Sequence, residues 1–161
     1  MKQLYIVRHG KSSWDYGVDD KDRPLMERGI NDAILVSNHL KKKVKAIDAV
    51  FSSPANRALH TCLIFMRKLE LDVSKVIITE QLYDFGGTSV SNFIKQLDNS
   101  YKNVMIFGHN HAFTSISNIF GNKSIDNLPT SGVVKLNFDI ERWQDVEYGT
   151  TELIIFPKQL K

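Results

Sequence analysis

The stretch Leu4-Tyr5-Ile6-Val7-Arg8-His9-Gly10 decides how the chain is read. Four apolar residues bounded by polar ones read as a buried strand, so Arg8 and His9 fall where that strand leaves its sheet. Open α/β sheets hold their ligands at that end of the strand. Gly10 permits a sharp turn and a close backbone approach to a ligand, and the Arg8 guanidinium offers a fork of donors suited to phosphate oxygens. The stretch predicts a phosphoryl-binding turn with His9 as candidate nucleophile. Taken alone, Arg-His-Gly also reads as a strand followed by a solvated turn, and the remaining segments decide between the two.

Downstream, Lys11 to Asp22 is polar and lacks either hydrophobic period, so it reads as a long loop. Loops of this length in compact domains are usually functional or mobile. Trp14 either walls a pocket or anchors this loop to the core, and Asp19, Asp20 and Asp22 read as solvated loop acids rather than metal ligands, lacking a calcium loop's spacing. Pro24 suits a first helical turn, and Ile30, Ala33, Ile34, Ser37 and Leu40 follow on one helical face, ending in Lys41-Lys42-Lys43. Ile47 to Phe51 is a second strand, broken by Ser52-Ser53-Pro54. A helix then buries Ala58, Cys62, Phe65, Met66 and Leu69 and carries Arg57 in its first turn.

Val76 to Thr79 is a third strand, and a short helix with Val90, Phe93, Ile94 and Leu97 leads to a fourth, Val104 to Phe107. That strand also ends in polar chemistry, Gly108-His109-Asn110-His111, before a helix closed by Gly121. Beyond Pro129, strands over Gly132–Phe138 and Thr151–Phe156 have no long helix between them, which predicts an antiparallel edge strand. Strand alternating with helix argues for a three-layer α/β/α sandwich with a mostly parallel central sheet. Arg8 with His9, Arg57 and His109 follow three different strands within a few residues of their C-terminal ends, and in a parallel sheet those ends share one rim.

Composition narrows the alternatives. With 161 residues, 42% hydrophobic and 24% charged, the chain is expected to form one domain over 1–161. A net charge of +3, with its one dense basic cluster at a helix end, argues against nucleic acid. No apolar run reaches the roughly 20 residues of a membrane span, and the single cysteine, Cys62, sits in an apolar register. A cytoplasmic, membrane-free protein is expected.

These motifs resemble the histidine phosphatase superfamily, whose fold is phosphoglycerate mutase-like, and in particular its small SixA-type phosphohistidine phosphatase branch. The resemblance spans nearly the whole chain: Arg8 to Trp14, Asp22-Arg23-Pro24-Leu25 with Arg28-Gly29, Ser52 to Ala55 with Arg57-Ala58 and Thr61, Gly108-His109-Asn110, and Leu128-Pro129-Thr130 through Phe156-Pro157-Lys158. It departs at His111, where relatives usually carry proline; a helix cap is the expected role.

The resemblance implies that His9 attacks phosphorus and becomes a phosphohistidine, with Arg8, Arg57 and His109 binding the phosphoryl group. Asp84, in Leu82-Tyr83-Asp84, resembles the superfamily's proton donor, with Glu80 as the second candidate. No metal or other cofactor is implied, since arginines supply the charge. The implied substrate is a protein phosphohistidine. Small phosphorylated molecules, a mutase-like phosphotransfer and a non-catalytic phosphohistidine-binding module are the alternatives.

Overall fold

Strand β1 (Lys2–Arg8) is buried on both faces because its apolar residues alternate between two cores. Leu4 and Ile6 join one cluster of 20 buried residues; Tyr5 and Val7 join a second of 15. The same division runs along β4 (Asn103–Gly108), where Val104 and Ile106 face one core and Met105 and Phe107 the other. A period of two along a strand buried on both sides has this consequence. The computed structural model describes residues 1–161.

Six strands form one sheet in the order β3-β2-β4-β1-β5-β6, with β2 at Ala49–Ser52, β3 at Ile77–Ile78, β5 at Val133–Phe138 and β6 at Thr150–Ile155. β1, β4, β2 and β3 run parallel. From β1 the chain passes outward through α1 (Glu27–Lys41) to β2 and through α2 (Asn56–Lys68) to β3. It then reverses through α3 (Thr88–Lys95) to insert β4 beside β1, and continues into α4 (Ala112–Phe120). Right-handed crossovers put outward-going and returning helices on opposite faces: α1 and α2 cover the core of Tyr5 and Val7, α3 and α4 that of Leu4 and Ile6. The neighbouring strands β1 and β4 therefore send their following segments to opposite faces and open a crevice at their C-terminal ends.

The expected antiparallel edge strand is β6, which pairs antiparallel with β5, itself antiparallel to β1. The short connection 139–149 permits only a return beside the preceding strand. The structure corrects two other expectations. β3 shrinks to Ile77–Ile78, both exposed, because it meets only Phe51 and Ser52 of β2. Pro24 lies three residues ahead of α1: the Pro24 carbonyl accepts from Ser13 N–H at 2.9 Å, and Met26 N–H donates to the Lys11 carbonyl at 2.8 Å, tying residues 24–26 to the loop after β1. No helix is long and apolar enough to cross a membrane.

That tie brings the first turn of α1 onto Gly10-Lys11, and two glycines allow it. A Cβ on Gly10 would stand 2.9 Å from the Gly29 carbonyl oxygen, and one on Gly29 would overlap the Lys11 carbonyl. Both obstacles are backbone and cannot swing away. Gly29→Ala should therefore lose about 1–3 kcal/mol of stability through overpacking, despite alanine's better helix propensity, read as a lower urea midpoint; an unchanged midpoint would mean that the contact is not tight.

Candidate functional site

Arg8 is the last residue of β1, directly opposite Gly108 of β4. One residue on, His9 N–H donates to the Gly108 carbonyl at 3.1 Å, and Ser131 N–H bonds to the carbonyls of both Arg8 and His9 at 3.1 Å. The ladder thus continues just far enough to fix His9 beside His109, with ring centroids 5.2 Å apart. Gly10 N–H donates to Thr61 Oγ1 at 2.9 Å while that hydroxyl donates to the Arg57 carbonyl at 2.7 Å, so one threonine locks the turn after β1 to the first turn of α2.

Each ring has its proton placed by its partners. His9 Nδ1 lies 2.7 Å from the Gly10 carbonyl oxygen. A carbonyl only accepts, so Nδ1 carries the hydrogen and Nε2 keeps its lone pair. His109 Nε2 meets Ser53 Oγ at 2.8 Å, and Ser53 Oγ also accepts Ala55 N–H at 3.2 Å. When the serine hydrogen goes to Nε2, the His109 proton sits on Nδ1. Burial pushes the proton affinities of both imidazoles down to about 3, and the neighbouring arginines add to the effect. Both rings are neutral near pH 7.

Arg8 and Arg57 are held by one side of their guanidinium groups. Arg8 Nη1 donates to the Leu128 carbonyl at 2.9 Å. Arg57, 2% exposed, gives Nη1 to the Asp20 carbonyl at 2.6 Å and Nη2 to Asp20 Oδ2 at 2.9 Å. Asp20 also accepts from Tyr83 Oη at 2.6 Å and Arg23 Nη1 at 3.2 Å. Burial raises the Asp20 carboxyl, but the Tyr83, Arg57 and Arg23 bonds outweigh it and hold the group well below the ordinary carboxylate range.

What these bonds leave over is informative. Six buried side-chain polar atoms lack a hydrogen-bond partner, and three are Arg8 Nε, Arg57 Nε and His109 Nδ1. Buried polar groups are nearly always satisfied, so the unpartnered Nε groups of Arg8 and Arg57, which line the cavity of His9, and Nδ1 of the adjacent His109 ring are hydrogen-bonding capacity left over. The cavity beside them, about 280 Å³, is lined by Arg8, His9, Arg23, Arg57 and Asp20 together with Trp14 at its mouth. Trp14 is 75% exposed and stacks on the Arg23 guanidinium at 3.3 Å; it walls the pocket and does not anchor the loop to the core.

Of the sequence-predicted residues, Arg8, His9, Arg57 and His109 come together and Asp84 does not. Asp84 Oδ1 accepts from Gly86 N–H, and its Oδ2 accepts from Gly87 and Val90 N–H at 3.0 and 3.1 Å, so both oxygens serve the start of α3. Glu80 is exposed and paired with Lys21 at 2.8 Å. His111 stands ahead of α4, but its side chain makes no capping bond, contrary to expectation. Asp20, read from the sequence as a solvated loop acid, instead pairs with the buried Arg57, and Ser53 and Tyr83 were given no role of their own. The signal for Asp20 was its position three residues before Arg23, masked by the neighbouring acids Asp19 and Asp22.

Comparison with known proteins identifies the family and the fold. The family model described as histidine phosphatase superfamily (branch 1) matches residues 4–87. An uncharacterized protein of Mycobacterium leprae is 30% identical over 163 residues, covering 93% of this chain and 98% of its own. A 2,3-bisphosphoglycerate-dependent phosphoglycerate mutase of Beijerinckia indica is 38% identical over 69 residues, 41% of this chain and 33% of its own. Among solved structures, the protein histidine phosphatase SixA complexed with tungstate superposes with a TM-score of 0.84 at 25% identity, covering 99% of both chains. A mycobacterial glucosyl-3-phosphoglycerate phosphatase shares the fold, with a TM-score of 0.70 at 12% identity over 95% of this chain and 98% of its own. The chain belongs to the histidine phosphatase superfamily, branch 1, and is a phosphatase of the SixA type.

Proposed function

We propose that the protein hydrolyses phosphohistidine on a protein partner, with His9 as nucleophile. The observation that carries this reading is the trio of unpartnered atoms, Arg8 Nε, Arg57 Nε and His109 Nδ1, around a histidine whose Nε2 is free. Three donors suit the three equatorial oxygens of a phosphoryl group in transfer. The charge comes from buried arginines, a role that a metal ion plays elsewhere. The arginine pocket and the SixA likeness both support the phosphoryl class of substrate.

In the first step the Nε2 lone pair attacks phosphorus while the P–N bond to the substrate imidazole breaks. The electron pair of that bond goes to the departing nitrogen, and the substrate ring, already protonated on its other nitrogen, leaves as neutral imidazole. His9 then carries the phosphoryl group, with its Nδ1–H still on the Gly10 carbonyl holding the ring in place. Water attacks phosphorus in the second step, the P–Nε2 pair returns to the ring, and a proton passes to solvent. Asp20 positions Arg57 throughout.

The P–N preference rests on proton supply. Asp20 is the one carboxylate lining the pocket, and its bonds keep it ionised. A substrate ring protonated on its other nitrogen leaves as neutral imidazole, whose conjugate acid has a pKa of about 6.5, and needs no strong acid; an alkoxide does. Trp14 and Phe85, exposed at the mouth, offer apolar faces to a planar leaving ring or to a protein surface.

Three measurements follow. Phosphate release from a phosphohistidine-bearing protein and from p-nitrophenyl phosphate, both with EDTA present, should show repeated turnover that favours the protein and falls at least about 10³-fold in His9→Ala. Undiminished turnover in that variant, or wild-type protection of the phosphohistidine from loss, would overturn the reading. Asp84→Ala should cost about 1 kcal/mol of stability through the lost helix bonds while the pH profile of turnover stays in place; a shifted profile would restore Asp84 as an acid.

The third measurement is pH dependence. Above about 6.5 both His9 and His109 are neutral folded or unfolded, so neither affects stability. As pH falls from there toward about 3, the unfolded chain takes up protons that the native rings refuse. Stability then declines by about 1.4 kcal/mol per pH unit for each ring. NMR should show no titration of either ring between pH 5 and 8 without ligand, and a raised proton affinity at His109 once phosphate is added. A free-enzyme titration near 6.5 would contradict both.

A further inference from the structure

Beside the catalytic pocket lies a second groove of about 380 Å³ that the chemistry above does not use. Its cations are Arg28, Lys158 and Lys161, and its walls include Pro129 and Pro157. Thr130 lines both this groove and the pocket of His9, so the two are contiguous. Arg28 is placed there by the same packing that shapes the active site, since the next residue, Gly29, lies against the Gly10-Lys11 backbone.

The charge of the groove is unbalanced. The buried Asp32 meets Lys161 Nζ at 2.8 Å through Oδ1 and Arg28 Nε at 3.6 Å through Oδ2. One buried carboxylate thus aligns two cations, and Lys158 is exposed without a carboxylate partner. Arg28 and Lys161 remain about half exposed or more, at 62% and 49% of their side-chain surface. Prolines in the walls restrict the backbone, so the groove is already shaped before anything binds.

We infer that this groove docks an acidic segment of the phosphorylated protein, next to the phosphohistidine that enters the pocket. The inference rests on the phosphohistidine reading and deepens it. A cationic groove leading to an anion pocket steers a negatively charged partner and fixes its register. It separates protein substrates by the carboxylates that flank the phosphorylated ring. A small phosphate ester fills the pocket alone and leaves Arg28 and Lys158 untouched.

The test uses two synthetic peptides carrying a non-hydrolysable phosphohistidine analogue, phosphoryltriazolylalanine, flanked on both sides by glutamates in one and glutamines in the other. Each is measured as an inhibitor of p-nitrophenyl phosphate turnover, with orthovanadate as the pocket-only control. The glutamate peptide should inhibit about tenfold more tightly at low salt. Arg28→Gln/Lys158→Gln, and Lys158→Glu alone as a check against misfolding, should erase most of that difference and leave orthovanadate inhibition unchanged. High salt should narrow it in the wild type. Equal inhibition by the two peptides, or a preference that survives in both variants, would overturn the groove and leave the phosphohistidine reading standing. If orthovanadate inhibits while neither peptide does, the phosphohistidine reading fails and the groove falls with it.

Discussion

The register of β1 against β4 holds the two histidines together. Arg8 opposite Gly108 is the last rung of a parallel ladder, and His9 N–H to the Gly108 carbonyl extends it by one bond. A slip of one residue would exchange the two faces of either strand. Leu4 and Ile6 would then meet α1 and α2, and Tyr5 and Val7 would meet α3 and α4. Both cores, assembled from distant segments, therefore resist the slip, and the 5.2 Å between the rings follows from hydrophobic packing more than from any bond between them. Fold and site are specified by the same alternation.

Around that ladder the protein concentrates cations in a low-dielectric place. Desolvating a guanidinium is costly unless it is paired, and the structure answers differently for each. Arg57 receives the full attention of Asp20, through both a backbone and a side-chain oxygen, while Arg8 gets one carbonyl. In each case one edge is anchored and Nε is left unpartnered. The rings take the complementary course and stay neutral. Unspent hydrogen-bonding capacity is a local cost to stability, balanced by apolar burial elsewhere and recovered when an anion arrives.

Much of this was legible in the sequence, and the failures have physical causes. The continuous apolar run Leu4–Val7 and the polar residues after three strand ends pointed to the sheet and to the residues at its rim, because an apolar run and strand-end chemistry are local properties. The length of β3 depends on how many partners the strand finds, which no window of sequence contains. Asp84 misled for a related reason. Asp-Phe-Gly-Gly before a helix is equally a carboxylate ready to accept backbone N–H groups, and only the direction of the chain at Gly86-Gly87 decided for the helix. Asp20 was hidden because its partners, Arg57 and Tyr83, lie 37 and 63 residues away.

The chain has two tryptophans, and the fold has sent them to opposite extremes. Trp143 is fully buried, its indole N–H donating to the Tyr101 carbonyl at 2.9 Å, so its emission reports on the core. Trp14 stands in solvent against Arg23 at the pocket mouth. The molecule thereby carries two separate intrinsic fluorophores: a blue-shifted one that follows unfolding, and a red-shifted one that responds to whatever enters the pocket. Occupancy and integrity can be read in the same cuvette without a label.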